Sequence, residues 1–449
     1  MRTSRLPMAS FLLGLACVVP VAEARDLKVT TTADEYDGVC NTHCSLRDAV
    51  QAAVTANQPR IILGAGTYTL SLPPEHDEEG AILDEDENLN GDLDIRGYVR
   101  VIGAGIDQTI IDGGGIDRIF EVLAGSTLAL ERLRLTKGRT SFHGGALENH
   151  GAASLNQVAV SGNTASSGFE IGHGGGLANF GDMTIVRSRI EDNYAGGSES
   201  SLGEGGGLYN EGNLLIRDSL FLRNQGSDDN DVGIGGGLIN KGTADIARTA
   251  FVNNGVRANG SGAAIANTDG GYLKLSNSTL SGNSSGEYGG AALNNGQRYP
   301  ATDAKPVAHL VHVTIAGNQG YGLANHGDVL IRNSVISGNV GLFEDTEPMN
   351  CYNEDTYTYR AIGLLLGTGP GNCTGSQTIA NEATFTTHLF PLEENNGTLV
   401  HPLRRQSLAI DRAIGSCSSH DQRRLTRPRD GDGDGQAVCD LGAFERARP

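Results

Sequence analysis

"HGGGLANFGDMTIVRSRIEDN" (His173–Asn193) opens on a run of glycines, spends its apolar residues sparingly and ends on asparagine. The phrase returns as "EGGGLYNEGNLLIRDSLFLRN" (Glu204–Asn224) and as "IGGGLINKGTADIARTAFVNN" (Ile234–Asn254). Anchoring on Leu/Ile-x-Asn gives Asn149, Asn179, Asn210, Asn240, Asn267, Asn295 and Asn325, with steps from 27 (240 to 267) to 31 (179 to 210) residues. A second asparagine closes each unit: Asn163, Asn193, Asn224, Asn254, Asn283, Asn318 and Asn339.

Counting back from that second asparagine exposes three apolar columns. Ten before it stand Ala153, Met183, Leu214, Ala244, Leu273, Ala308 and Val329. Eight before it stand Leu155, Ile185, Ile216, Ile246, Leu275, Leu310 and Ile331. Three before it stand Val160, Ile190, Phe221, Phe251, Leu280, Ile315 and Ile336. Alternation at the first two positions fits a half-buried strand. A unit with so little apolar surface cannot form a core alone, and needs neighbours stacked on it. A parallel β-coil stacks them about 4.8 Å apart, buries the aliphatics inside and lines the asparagines into amide ladders at the corners. A leucine-rich repeat would need several leucines per unit at short spacing, which these units lack.

The columns therefore predict an all-β chain, a right-handed parallel β-helix (solenoid) with a short N-terminal capping helix. Residues 99–345 supply the coils. "VRVIGAGIDQTIIDGGGIDRIFEVLAGSTLALERLRLTKG" (Val99–Gly138) gives the less regular first ones, and the total is on the order of ten coils, about 45–50 Å long. Residues 25–98 form a cap and an acidic loop. A helix over 46–56 follows from the Ser45/Asp48 capping box and the shared face of Leu46, Ala49, Val50, Ala53 and Val54. It covers the open first coil. Residues 346–449 form a disulfide-tied C-terminal segment.

Composition agrees with an elongated architecture: among 449 residues there are 64 Gly, no Trp and 5% aromatics. The formal charge of −19 argues against nucleic-acid partners and anionic membranes, and the short run "RRLTRPR" (Arg423–Arg429) reads as a solvated loop. Residues 1–24 have the charged start, apolar middle and "AEA" ending of an export signal; lipid attachment at Cys17 is the alternative processing. No later stretch has the roughly 20 apolar residues of a membrane span. Six cysteines remain beyond Cys17, at 40, 44, 351, 373, 417 and 439. An even number in an exported chain favours disulfides, and although 15 pairings are open, three local pairs are the expectation.

"CNTHCSLRDAV" resembles the CSLREA-type N-terminal domain of exported bacterial proteins, and "GDLDIRGYVRVIGAGIDQTIIDGGG" resembles their first coils. The repeats are similar to those of pectin-lyase-like β-helices and polymorphic outer-membrane proteins. The tail "LRRQSLAIDRA…DQRRLTRPRDGDGDGQAVCDLGAFE" resembles the terminal segment of choice-of-anchor β-helix proteins, with Arg424 and Thr426 departing from its usual Gly and Pro. The resemblance implies export and a β-helix; it implies no particular activity.

Candidate sites are few. Asp430, Asp432 and Asp434 in "DGDGDG" alternate as calcium-loop oxygens do, but Leu441 stands at the twelfth position, where an EF-hand has Glu; calcium loop and acidic turn both remain open. "DEDENLNGDLD" (Asp84–Asp94) has similar oxygen density. His143, His173 and Glu204 precede the glycines of successive units and would stack as a transition-metal column, or stand as surface turn residues. Six before the second asparagine, Arg187, Asp218 and Arg248 would sit on consecutive coils, either as a lyase cluster or as an exposed salt-bridge ladder. The column Val158, Ser188, Ser219, Thr249, Ser278, Val313, Ser334 is too mixed for an ice-binding wall. The expectation is an exported, adhesin-like, non-catalytic protein, secreted or at the cell surface (periplasm or outer membrane included). It acts as a monomer binding polysaccharide or another surface ligand on its side walls; a polysaccharide lyase or hydrolase is the alternative.

Overall fold

The computed structural model describes residues 26–447, apart from 57–58, 77, 79–81, 84, 167–170, 197–202, 228–232, 258–259, 287–289, 297–303 and 342–346. The expected export signal (1–24) and Cys17 lie outside the described residues.

The repeat columns stack as strand partners. Leu155 pairs with Ile185, Ile185 with Ile216, and Ile216 with Ile246, and the run continues through Leu275, Leu310 and Ile331. The second column runs from Val160 through Ile190, Phe221, Phe251 and Leu280 to Ile315 and Ile336. All these side chains are buried. Burying one fully contributes about 1.5–3 kcal/mol, and the Phe221 and Phe251 rings add a stack at 4.6 Å. Together they form one wall, a 20-stranded sheet. The Leu/Ile-x-Asn triplets form a second, 10-stranded sheet from Leu93–Ile95 to Cys351–Asn353. Coil-to-coil pairing is parallel throughout both walls, so the fold is a right-handed parallel β-helix, the hand that parallel crossovers take.

Both asparagine series are fully buried ladders. Asn149 Nδ2 donates to Asn179 Oδ1 at 2.7 Å, and the relay passes through Asn210, Asn240, Asn267, Asn295 and Asn325 to Asn353. The second relay runs from Asn163 to Asn339 and then through Asn350 to Asn381. Here the Oδ1 of each asparagine from Asn193 to Asn350 also accepts the backbone N–H of the one before, as between Asn193 and Asn224 at 3.2 Å. A primary amide both donates and accepts, so it can pass a bond from coil to coil; the first rung, Asn149, keeps a buried Oδ1 with no partner among the described residues.

Between the two apolar columns the wall bends at one left-handed residue per coil: Gln157, Arg187, Asp218, Arg248, Asn277, His312 and Asn333 all have φ between +46° and +56°. The next residue turns inward. The mixed column of Ser188, Ser219, Ser278 and Ser334 lies buried and forms no outer wall. Each hydroxyl accepts a backbone N–H from the coil before, such as Val158 N to Ser188 Oγ at 3.1 Å. The glycines earn their place at the opposite corner. Gly205 has φ +71°, and a Cβ on Gly206 would strike the backbone of Gln225.

The capping helix spans Leu46–Ala53, three residues short of the expected 56, because Val54 N–H turns back to Gln51 O in a tighter i, i+3 bond. Its capping box is present, with Ser45 Oγ accepting Asp48 N–H at 3.0 Å. Arg47 is fully buried: it pairs with Asp34 and donates to the carbonyls of Asn90, Gly91 and Asp92. Parallel pairing extends beyond 99–345 at both ends. Asp26–Lys28 pairs with Arg60–Ile62, which pairs with Tyr98–Ile102, and Tyr359–Gly367 and Gln377–Ile379 add to the far end. The disulfides are Cys40–Cys44, Cys351–Cys373 and Cys417–Cys439, the local pairs expected.

After the last coil the chain runs back along the outside of the first wall as a strap. Thr384 meets Ser337, Ile414 N–H reaches Asn333, His401 meets Ser281, Gln422 accepts from Thr279, and Arg424 reaches Asp218. Leu389, Val400, Leu403, Ile410, Leu441 and Phe444 cover the outward-facing Ala316, Val335 and Leu365. A buried ion pair, Arg427–Glu445 at 3.0 Å, sits inside the strap. Among the described residues no helix is long and apolar enough to cross a membrane.

Candidate functional site: a groove where the strap ends

Where the strap stops covering the wall it leaves a groove of about 520 Å³. The bend residues Arg187, Asp218 and Arg248 form one side, and Glu394–Leu399 with Gln422–Arg424 of the strap form the other. Bend residues point outward because a left-handed residue interrupts the pleat, so three consecutive coils present three charged side chains to one cleft.

Asp218 is the hub. Its Oδ1 accepts Arg248 Nε at 2.6 Å and Arg424 Nε at 2.9 Å, and its Oδ2 accepts Arg248 Nη2 at 3.1 Å and lies 2.8 Å from Arg424 Nη2. Burial alone would raise this carboxyl, but the two guanidiniums outweigh it and hold it at about 2. It is therefore a fixed anion with both oxygens engaged, unsuited to serve as a calcium ligand or as a base near neutrality. Of the two arrangements expected for Arg187, Asp218 and Arg248, the ion-pair one is built, and only between Asp218 and Arg248. Arg187 donates to Asn156 Oδ1 at 3.1 Å and makes no ion pair among the described residues. Of the other lining arginines, Arg248 and Arg424 share Asp218, Arg189 lies 3.7 Å from both Asp107 and Glu191, and buried Arg423 pairs with Asp421 at 2.6 Å. Arg424 comes from "RRLTRPR", which the sequence presents as a solvated loop. Its partnership with Asp218 joins residues 206 apart, a distance that no local pattern spans.

The histidine column lies on the Leu/Ile-x-Asn side. His143 pairs with His173, and His173 with Glu204, in the expected register. The three do not converge as ligands. His143 Nδ1 lies 3.3 Å from Glu148 Oε1, while His173 Nδ1 lies 3.1 Å from Glu204 Oε2. Lys241 Nζ also takes Glu204, at 2.7 Å. Phe180 packs edge-on against His143 and Tyr209 against His173, while His150 stacks on Phe180.

In the tail, Asp430 and Asp432 come together with Asp411, a partner that the sequence reading missed, and Asp434 stands outside that group. Each of the three expected carboxylates accepts nearby backbone N–H groups: Asp430 from Gly433 and Gly435, Asp432 from Asp434, and Asp434 from Gln436. From the other acidic stretch, Asp92 and Asp94 gather with Glu121 of the next coil, with Arg118 beside them.

No protein-family model matches the chain, and no curated protein matches it in sequence. Solved structures similar to it include pectate lyase Pel9A, at 13% identity over 94% of this chain and 97% of that one, with a TM-score of 0.48. The A-module of the Azotobacter vinelandii mannuronan C-5 epimerase AlgE4 matches at 16% identity over 76% and 77%, with a TM-score of 0.38. A pectin methylesterase variant in complex with a hexasaccharide matches at 10% identity over 81% and 96%, with a TM-score of 0.32.

Proposed function

We propose that the protein is an exported, monomeric β-helix protein that binds an anionic polysaccharide in the strap-end groove without turning it over. The export-type start of the sequence, the three disulfides and the resemblance of the two ends to CSLREA-type and choice-of-anchor proteins support an extracytoplasmic role. The observation that carries the ligand is Arg187, a groove-lining guanidinium left without an ion pair among the described residues while the other lining arginines are paired, on a chain of net charge −19. Arg187 brings a planar fork of donors, suited to a uronate carboxylate, with no competing ion pair among the described residues. The volume falls within the range of ligand-binding clefts. Asp218, held at about 2 and engaged by two guanidiniums, cannot act as a proton donor or acceptor near neutrality, which supports binding over turnover.

Calorimetric titration with oligogalacturonates and with neutral oligosaccharides of equal length, with and without calcium, tests the reading. The acidic series is expected to bind, less tightly as salt rises. Arg187→Ala should weaken it about 10- to 100-fold, the worth of one charge-assisted hydrogen-bonded pair. New unsaturated or reducing ends, or equal affinity for the neutral series, would refute it.

A further inference from the structure

We infer that Arg132 is a second anchor for the ligand of the groove, so that the site takes a polyuronate chain lying along the coil axis and holds carboxylates of two of its sugars. This rests on the reading of the groove as an anionic-polysaccharide site. Arg132 has φ +53° and occupies the bend position one coil before Gln157 (φ +56°) and two before Arg187 (φ +49°). Strand register sets the three level: Glu131 pairs with Asn156 and Leu133 with Val158, and Asn156 pairs in turn with Val186. All three residues are exposed. A left-handed residue interrupts the pleat and turns its side chain outward, so the row faces the same way as the bend residues of the groove. Arg187 lines the groove and is also the last member of this row, which runs on from it toward the N-terminal cap.

The row is bounded at both ends. On the groove side Asp218 is already held by Arg248 and Arg424. On the cap side the register brings Gly103 beside Arg132, where a Cβ would strike the Arg132 carbonyl. Within the row, Arg132 and Gln157 have no side-chain hydrogen bond or ion pair among the described residues. The flanking carboxylates are already engaged, Glu131 by Arg100 at 2.7 Å and Asp107 by Arg134 at 2.7 Å. Arg132 therefore keeps its guanidinium for an outside anion, as Arg187 does. Two coils of stacking separate the pair by about 10 Å. With Gln157 standing between them, they are placed to take separate carboxylates of one chain, each by a planar fork of donors. The Gln157 amide can both donate to and accept from the sugar hydroxyls that pass over it.

Calorimetry on the full chain compares octagalacturonate with an otherwise neutral oligosaccharide of equal length carrying a single uronate. The wild type is expected to bind octagalacturonate about 10-fold tighter or more, the worth of one further charge-assisted pair, and to lose that affinity more steeply as salt rises. Arg132→Gln should remove most of the margin and leave the single-uronate ligand unaffected; glutamine already occupies the same left-handed position at Gln157, so the coil accepts it. A second measurement needs no variant. Octagalacturonate should protect Arg132 and Arg187 together from phenylglyoxal, read by peptide mass spectrometry, whereas the single-uronate ligand should protect Arg187 alone. If neither ligand binds better than a wholly neutral one, the groove reading falls and this inference falls with it. If Arg187→Ala weakens both ligands, the groove reading stands. The extended site is then overturned by equal affinity of the wild type for the two, by a margin that survives in Arg132→Gln, or by Arg132 reacting as fast in the octagalacturonate complex as in the free chain.

Discussion

Replacing Asn224 by alanine removes one rung from the middle of the second ladder, and the cost can be built up bond by bond. Asn224 Nδ2 donates to Asn254 Oδ1 at 2.9 Å and to Ile190 O at 2.8 Å, while its Oδ1 accepts Asn193 N at 3.2 Å and Asn193 Nδ2 at 2.9 Å. Alanine leaves Asn254 Oδ1 with the backbone N–H of residue 224, which it already accepts at 3.0 Å. It leaves the Asn193 backbone N–H with no acceptor and the Asn193 amide with only Val160 O. Asn193 is 1% exposed, so water cannot take over. Two buried donors orphaned at about 1–3 kcal/mol each give a loss of about 2–6 kcal/mol. Because each coil contacts only its neighbours, the loss should appear locally. Native-state hydrogen exchange should therefore show the Asn193 amide, and those of the adjoining coils, opening about 30-fold faster or more, with urea unfolding shifted to match. A loss under about 1 kcal/mol with Asn193 protection unchanged would show that the ladder is a consequence of stacking and adds little to it.

Acid should loosen the strap before the coils. Burial depresses His401 to about 4, and burial with the Arg427 charge depresses His312 to about 3, against 6.5 in the unfolded chain. A histidine with a depressed folded value favours folding fully above 6.5 and loses that contribution as pH falls toward the folded value. Both residues hold the strap, through Ser281 and the Asp440 carbonyl. Asp440 pulls the other way, because burial and the Glu445 charge raise it to about 8 and its protonation favours the folded strap. Limited proteolysis between pH 7 and pH 4 should cut residues 381–446 before the central coils, and acid sensitivity unchanged in His401→Gln would contradict the histidine origin. Reduction should act on the same region. Closing a 22-residue separation, as Cys417–Cys439 does, stabilises by roughly 3 kcal/mol in the chain-entropy model, whereas the repeats between Gly138 and Gly341 contain no cysteine. A protease-resistant fragment spanning the repeats is expected under reducing conditions, and digestion from the middle outward would argue against it.

The coil stack was legible because its physics repeats. Each of Asn149 to Asn325 and each apolar column recurs at nearly constant spacing, and strand register follows directly from that recurrence. The bend residues were located as a column but not as a left-handed turn. Asn277, Asn333 and Asp218 carry the signal, since short polar side chains tolerate positive φ, but the arginines and His312 in the same column obscure it. Arg47 was passed over because a helix pattern weighs apolar spacing, and a buried guanidinium shows its use only once Asp34 and the carbonyls of Asn90, Gly91 and Asp92 surround it. The strap and the groove were not legible at all. Their contacts are single, polar and long-range, such as Ser418 to Asn277 and Ile414 to Asn333, and no periodicity announces them.

The strap also sets rules for how such a chain can grow. Duplicating a unit between Asn149 and Asn210 would lengthen the rod and leave every strap contact from Asp218 to Ser337 in place. The same duplication between Asn240 and Asn325 would carry Asp218 one β spacing, about 4.8 Å, away from Arg424 and break their 2.9 Å bond. The downstream coils are thus measured against a ruler of fixed length, while the upstream coils are free to vary. Natural length variants should accordingly gain and lose their repeats on the N-terminal side of Asp218.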